Sequence, residues 1–245
     1  MERQSGRRPR RLARAMELYE AIRSAPTTRY FRPDPVEPAL LHRVLDAARF
    51  APSGGNRQPW RVIAVDDPGL RRSLRELYLP HWSAYLEHTG GAALLRAARD
   101  DPELGTHDPS LARRAGMVRG ADHFARHLHE APLILIVCVV MADLAVVDSG
   151  LDRPSISGGG SIYPFVQNVL LGLRNEGLGA AFFTLLNPAE EQVRELLGFP
   201  AELAMAGTIA AGHRTEAAWP KLSRRPVAEF ASANRYGAPL ADPGA

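Results

Sequence analysis

A loop at residues 51–60 carries the densest set of polar groups that could contact a ligand. Its sequence is A-P-S-G-G-N-R-Q-P-W. Two prolines and two glycines exclude regular structure, so we predict a shaped loop. The Ser53 hydroxyl, the Asn56 and Gln58 side-chain amides and the backbone N–H of Gly54 can all donate hydrogen bonds. On composition alone, the loop is equally typical of an ordinary helix-to-strand connection.

Two groups of basic and hydroxyl side chains could together hold a phosphate. One group lies near each end of the chain: Arg23, Thr27 and Arg29, then Lys221, Arg224 and Arg225. Guanidinium and ammonium groups bind phosphate oxygens through charge-assisted hydrogen bonds. Lys221 is the single lysine of the chain. Each group alone is more typical of solvated surface charge, and the sequence does not show that the two meet in space.

Motifs of several common catalytic sites are missing from the sequence. No G-x-G-x-x-G follows a predicted strand and no P-loop lysine is present, so neither a dinucleotide-binding fold nor an NTPase is indicated. No Ser-His-Asp or Cys-His arrangement is evident. His123 and His127 have a zinc-ligand spacing, with His129 close by, but they lack a third ligand and the H-E-x-x-H frame. We therefore expect no metal site.

Composition favours a globular protein without a membrane segment. The 245-residue chain carries a formal charge of +3. Its apolar content of 45% suffices for a packed core. Arginines between residues 3 and 14 have no interleaved aromatics, so a solvated tail is favoured over a nucleic-acid arm. No long apolar segment follows them, and we expect neither export nor membrane insertion. The single cysteine, Cys138, lies in an apolar run, so we expect a buried thiol and a cytoplasmic setting.

Strands and helices alternate around these residues. Four strands are predicted, at residues 61–65, 132–140, 180–186 and 204–212, and the second is apolar throughout, as in a strand covered on both faces. Helices are predicted at residues 12–23, 38–48, 67 to about 77, 162–173 and 187–198. Ser161 is expected to cap the fourth helix, and Asn187 with Glu190 resembles a capping box for the fifth.

These elements predict one α+β domain with three α/β/α layers over residues 15–235. A basic tail at residues 1–14 precedes it, and a C-terminal tail at residues 236–245 follows it. Residues from about 78 to 120 are the least regular part, and we predict helices joined by mobile loops, as in a lid over a pocket.

The loop motif A-P-S-x-x-N-x-Q-P-W resembles the signature loop of the FMN-dependent nitroreductase family. Three other segments are similar to elements of that family: R-Y-F at residues 29–31, G-L-G at 177–179 and the basic segment at 221–225. The resemblance covers about residues 16–235 and is poor over 78–120. It implies a central mixed, mostly antiparallel sheet flanked by helices.

The resemblance also implies which residues bind FMN. Thr27 matches a residue that contacts the phosphate or the ribityl chain, and Arg29 matches a basic residue at the pyrimidine edge of the flavin. Lys221 with Arg224 or Arg225 would hold the phosphate. The other implied contacts come from the signature loop of a neighbouring subunit and from the strand beside the isoalloxazine ring: Pro52, Ser53, Gly54, Asn56, Phe183, Thr184 and Leu185.

Two positions depart from the family pattern. Ala25 stands where the family often has arginine, and the rigid Pro26 follows it. The phosphate would be held more weakly unless Arg23 replaces the lost charge. Thr184 stands where some members have an acidic residue, so the contact with the ring would differ.

The implied activity is that of an FMN-dependent NAD(P)H oxidoreductase. In a homodimer with FMN at the interface, NAD(P)H would reduce flavin N5, leave, and be followed by an electron-poor nitroaromatic or quinone in ping-pong turnover. Arg29 would stabilise negative charge on the N1–O2 edge of the reduced flavin. No catalytic side chain is required. The same scaffold supports ene reduction, dehalogenation and biosynthetic oxidation, including conversion of the flavin to benzimidazole, and a non-catalytic flavin-binding protein stays open.

Overall fold

The computed structural model describes residues 16–101, 103–219 and 222–241. The helices in these ranges are α1 (Leu18–Arg23), α2 (Pro38–Ala48), α3 (Pro68–His88), α4 (Gly91–Asp100), α5 (Leu104–His107), α6 (Pro109–Arg126), α7 (Tyr163–Asn175) and α8 (Glu190–Leu197). The strands are β1 (Trp60–Val65), β2 (Leu133–Val140), β3 (Gly179–Phe183) and β4 (Leu203–Gly212). The predicted tail at 1–14 and Lys221 lie outside the described residues.

The four strands form one sheet in the order β1-β2-β4-β3, and every neighbouring pair is antiparallel. One isolated parallel bridge, between Thr27 and Ala180, adds the mixed component. The predicted mixed, mostly antiparallel sheet is therefore confirmed.

The core lies on both faces of β2, whose side chains alternate between two clusters. Ile134, Ile136 and Cys138 pack on one face with residues of α3, α6 and α8. Leu135 and Val137 pack on the other face with residues of α2 and α7. Burial raises the pKa of the Cys138 thiol to about 11. This arrangement confirms three α/β/α layers and explains why the β2 sequence is apolar throughout.

The helix predicted to end near Leu77 continues to His88, because its apolar face continues. Four side chains at i, i+4 spacing are buried along this face: Leu74, Tyr78, Trp82 and Leu86. Their burial offsets the backbone hydrogen bond that Pro80 cannot donate inside the helix. None of the helices in the described ranges is long and apolar enough to cross a membrane.

Two predicted helix caps are wrong. The Ser161 hydroxyl accepts a hydrogen bond from the Gly54 N–H, at 3.0 Å, and leaves α7 without a side-chain cap. Asn187 donates to the Met205 carbonyl at 2.9 Å, and Glu190 accepts from the Met205 N–H at 2.6 Å. β3 ends before it reaches this part of β4, so these side chains satisfy strand groups that have no strand partner.

Candidate active site

A cavity of about 660 Å³ lies between the end of β3 and the helices α3, α4 and α6. We call it the large cavity, and its volume is within the range of small-molecule sites, roughly 300–1,000 Å³. It brings together five predicted site residues from two distant segments: Thr27, Arg29, Phe183, Thr184 and Leu185. The helices contribute mainly apolar and aromatic walls, among them Tyr78, Trp82, Tyr85, Leu94, Met117 and Phe124.

The segment that carries Arg29 crosses one end of the sheet and is fixed by backbone hydrogen bonds. The N–H of the buried Thr28 donates to the Ala180 carbonyl, and the Arg32 N–H donates to the His213 carbonyl, both at 2.8 Å. These contacts hold Arg29 beside β3. Two isolated bridges, Thr27 with Ala180 and Phe31 with Arg214, attach this segment to the sheet.

The G-L-G turn permits this close approach. Gly177 ends α7 with a φ of +80°, a left-handed conformation that favours glycine. A Cβ atom at Gly179 would lie only 2.3 Å from the Thr28 hydroxyl oxygen and 2.7 Å from the Arg214 Cγ. Glycine at residue 179 thus lets the Thr27 segment pack directly against β3.

The electrostatics of the large cavity favour an anionic or electron-rich ligand. Its lining residues in the described ranges include the guanidinium groups of Arg29 and Arg114 and no carboxylate. Arg29 is half-buried, and no carboxylate of the described chain lies within 4.0 Å of it. Burial raises the pKa of the Tyr78 phenol above its ordinary value. The Tyr78 ring packs edge-on against Phe183, with centroids 5.1 Å apart.

A second cavity, of about 240 Å³, adjoins the large cavity. We call it the small pocket, and its lining residues are Ala25, Pro26, Thr27, Leu170, Arg174, Leu178, Ala180, Phe182 and Trp219. Thr27 and Phe182 line both cavities, which therefore share part of their wall. Ala25, the departure from the family pattern, forms part of its wall.

Trp219, which lines the small pocket, makes cation–π contacts with two arginines. The guanidinium carbon of Arg174 is 3.7 Å from the Trp219 ring centroid, and that of Arg214 is 4.7 Å away. None of the three residues was identified from the sequence. A signal was present for Arg174, since it continues the apolar stripe of α7 four residues after Leu170.

The signature loop lies at the diagonally opposite corner of the sheet. It enters β1 at Trp60, which pairs with Val139 near the end of β2. The Thr27 bridge lies beside the start of β3, at the other end of the sheet, and β1 and β3 are its two edges. Three strand spacings and the length of β1 separate the two places by roughly 20 Å. Pro52, Ser53, Gly54 and Asn56 therefore do not line the large cavity of their own subunit.

The backbone of this loop adopts unfavourable conformations. Asn56 and Gln58 have φ values of +53° and +49°, next to Gly55 at +60°. The Ser53 hydroxyl accepts a hydrogen bond from the Gln58 N–H at 3.0 Å, which closes the loop. A Cβ atom at Gly54 would lie 2.6 Å from that of Ala145. Left-handed non-glycine residues are uncommon and cluster at functional sites.

The remaining predicted basic residues lie away from both cavities. Arg23 is exposed and stacks on Tyr19, with 5.7 Å between its guanidinium carbon and the ring centroid. Arg224 donates to the Ser223 carbonyl, and Arg225 lies 4.0 Å from Glu229. None of these three arginines lines the large cavity or the small pocket.

The histidines of α6 stack on one another. The His123 ring lies 4.1 Å from that of His127 and 4.3 Å from that of Tyr30. Burial, followed by the neighbouring His127, lowers the pKa of His123. No group of three metal-ligating side chains occurs within the part of the chain that the structure describes. The expected absence of a metal stays a prediction.

Comparison with known proteins identifies the family. Residues 22–213 match the Nitroreductase family, and the chain belongs to it. The protein is thus an oxidoreductase of that family. An NADH dehydrogenase from Thermus thermophilus is 29% identical over 192 residues, which cover 78% of this chain and 84% of the relative.

Two further relatives span much of the chain. A 5,6-dimethylbenzimidazole synthase from Rhodobacter capsulatus is 29% identical over 197 residues, covering 80% of this chain and 82% of the relative. The solved structure of an FMN and NADPH-dependent nitroreductase, NfnB from Sphigopyxis sp. strain HMH, superimposes with a TM-score of 0.63. That match is 21% identical and covers 90% of this chain and all of NfnB. It confirms the nitroreductase-like fold.

Proposed function

We propose that the protein is an FMN-dependent NAD(P)H oxidoreductase that reduces electron-poor small molecules, such as nitroaromatics or quinones, by a ping-pong mechanism. The carrying observation is the large cavity, in which Thr27 and Arg29 lie beside residues 183–185. These are the positions where the family resemblance expects the flavin. The adjoining small pocket is lined by the buried Arg174, a group that can bind the phosphate of a cofactor.

Residues of the described chain fit a flavin. When bound, FMN would take a hydride from NAD(P)H at N5 and deliver it to the acceptor. Arg29 would bind the pyrimidine edge of the ring and stabilise negative charge there, because a fixed donor is most effective where water is excluded. Phe183, Thr184 and Leu185 would orient the ring from the strand side. Tyr78 and Trp82 would exclude water from the other side of the cavity.

The signature loop supports a homodimeric site. Within one subunit it lies roughly 20 Å from the Thr27 bridge, farther than one flat ring can span. A two-fold partner could bring its own loop to the large cavity. Exposed apolar side chains beside the loop support such an interface, since Phe50 is 75% exposed and Val147 is 86% exposed. In this proposal, Pro52, Ser53, Gly54 and Asn56 contact the flavin of the other subunit.

The lid helices favour aromatic acceptors. Tyr85 is 45% exposed and Met117 is 63% exposed at the cavity wall, where a flat substrate could pack. Arg114, also on α6, adds a positive charge to the same wall. We therefore propose that acceptors carrying an anionic group are preferred over neutral ones of the same size.

A second candidate function is oxidative chemistry on the flavin itself. The similarity to a 5,6-dimethylbenzimidazole synthase over 80% of the chain favours this alternative. The two activities have different products, because the synthase reaction consumes the flavin and a reductase regenerates it. Incubation of the reduced protein with oxygen, followed by chromatography of the flavin, separates them: intact FMN supports the reductase, and a benzimidazole product supports the synthase.

The direct test is an absorption spectrum of the purified protein before and after anaerobic addition of NADH or NADPH. The proposal predicts a yellow protein, bleaching by the nucleotide, and recovery of colour on addition of a nitroarene or quinone. Initial velocities should give the parallel double-reciprocal lines of ping-pong turnover. A colourless protein that cannot be reconstituted with FMN would refute the proposal, and one that is reduced only once would indicate a flavin-binding protein.

A further inference from the structure

Two largely buried arginines contact Trp219 in this region. Arg174 lines the small pocket, and Arg214 lines a neighbouring cavity of about 260 Å³ that shares Thr27 with it. Arg174 is only 7% exposed, and the side chain of Arg214 is 8% exposed. The carboxylate within 4.0 Å of this pair belongs to Glu216, which is 67% exposed and contacts Arg214. Within the described ranges, no carboxylate lies within 4.0 Å of Arg174. A buried charge without a close counter-charge is costly, so Arg174 favours an anionic ligand in the small pocket.

Arg174 keeps donors available for such a ligand, whereas the terminal nitrogens of Arg214 already donate to Thr28, Glu216 and Ala218. The Nε of Arg174 donates to the Ser24 carbonyl at 2.8 Å and to its hydroxyl at 3.1 Å. Its two terminal nitrogens make no hydrogen bond to other described residues. The Nε of Arg214 is buried and has no hydrogen-bond partner in the described chain. Both guanidinium groups lie over the Trp219 ring, and this cation–π contact restrains them.

The position of the pocket indicates which anion it would hold. Thr27 and Phe182 separate it from the large cavity and line both. Because the two cavities adjoin, a ligand with a flat ring in the large cavity would need only a short flexible chain to place a phosphate in the small pocket. A guanidinium fork matches the paired oxygens of a phosphate monoester. Ala25 leaves room at the position where the family often carries an arginine.

We infer that Arg174, which stacks on Trp219, binds the phosphate of the flavin cofactor in the small pocket and replaces the arginine that is missing at residue 25. The inference rests on the proposed function. It assigns the phosphate to a side chain that lies outside the motifs carrying the family resemblance. Arg23, which is exposed on α1, is not needed for this role.

The test compares FMN with riboflavin, which lacks the phosphate, by titration of flavin fluorescence. The native protein should bind FMN at least about 100-fold more tightly than riboflavin. Arg174→Gln should weaken FMN binding by about 10- to 100-fold and leave riboflavin binding unchanged. Arg43→Gln is the matched control, since Arg43 is exposed and contacts Glu176 just beyond the same end of α7. The ratio of its affinities for FMN and riboflavin should equal that of the native protein.

A second variant keeps the test decisive if Arg174→Gln does not fold. Ala25→Glu adds a carboxylate to the pocket wall without removing a buried side chain, and it should weaken FMN binding alone. Inorganic phosphate should compete with FMN and not with riboflavin in the native protein. Equal affinity of the native protein for both flavins would overturn the inference and leave the proposed function standing. An unchanged ratio of FMN to riboflavin affinity in Ala25→Glu and in folded Arg174→Gln would do the same. Binding of neither flavin by the native protein would refute both.

Discussion

Thr27 pairs with Ala180 in a parallel bridge beside β3, and the N–H of the next residue, Thr28, donates to the Ala180 carbonyl at 2.8 Å. This contact joins an N-terminal segment to a strand from the second half of the chain. As a consequence, Arg29 and Phe183 line one cavity. The proposed cofactor site depends on this contact between the Thr27 segment and β3 more than on any single side chain.

Arg29→Met should slow reduction of the bound flavin by NAD(P)H by about 100-fold, because a fixed positive charge at the pyrimidine edge is lost. The reduction potential of the flavin should fall as well. Stopped-flow absorbance and a redox titration measure the two effects. Arg119→Met, at an exposed arginine of α6, serves as the control and should change neither. An unaltered potential in Arg29→Met would show that the guanidinium does not act on the ring.

Gly179→Ala should lower the free energy of unfolding by about 1–3 kcal/mol, because the new methyl group would overlap the Thr28 hydroxyl and the Arg214 side chain. The control is Gly116→Ala in the interior of α6, where a Cβ atom would meet nothing within 4 Å. That substitution should raise stability by up to about 1 kcal/mol. Urea denaturation measures both. Equal effects of the two substitutions would argue against the close approach of the Thr27 segment to β3.

Arg114→Gln should reduce kcat/KM for 4-nitrobenzoate by about three- to fivefold and leave that for 4-nitrobenzyl alcohol unchanged. The effect is small because Arg114 is exposed to solvent. Arg113→Gln changes the adjacent exposed arginine, which does not line the cavity. This variant should keep the native preference for 4-nitrobenzoate over 4-nitrobenzyl alcohol. Added salt should diminish the preference of the native enzyme. If both variants lose it equally, general surface charge and not the cavity selects the acceptor.

Asp148→Asn should lower Tm at neutral pH by a few degrees. The Asp148 carboxylate accepts hydrogen bonds from its own loop: Arg153, Ser155, Ile156 and Ser157. These donors, led by the Ile156 N–H, hold its pKa well below the usual range. Its contribution to stability is therefore complete above about pH 4 and is lost as the pH falls through the folded-state pKa.

The difference in Tm between the native protein and Asp148→Asn should consequently narrow below about pH 4. Asp152→Asn is the control, since Asp152 is exposed in the same loop and should have no effect at any pH. Thermal unfolding followed by circular dichroism between pH 3 and pH 7 gives the comparison. A gap that stays constant over this range would mean that the carboxylate charge is not what holds the loop.

Strands and most helices could be predicted because their patterns are local. The apolar run of β2 and the apolar stripes of α2 and α7 gave the three layers. The end of α3 was mispredicted, because a proline such as Pro80 is locally typical of a helix end. The burial that keeps the helix intact comes from residues distant in sequence. The roles of Asn187 and Glu190 also depend on where a neighbouring strand stops, which no local pattern shows.

The candidate site was predicted in part. Thr27, Arg29 and residues 183–185 were predicted from the family resemblance, and the structure brings them into one cavity. Arg174 and Arg214 were missed, because their positions follow from stacking on Trp219 and, for Arg174, from burial without a close counter-charge. The distance of the signature loop from Arg29 required the strand order and register, which the sequence does not contain.

A crystal structure of the protein saturated with FMN would test the central claim most directly. We predict one flavin in each large cavity, with its pyrimidine edge within hydrogen-bond distance of Arg29 and its ring also contacted by a second subunit. Flavin bound away from Arg29, or a cavity that stays without flavin at saturating FMN, would contradict the account.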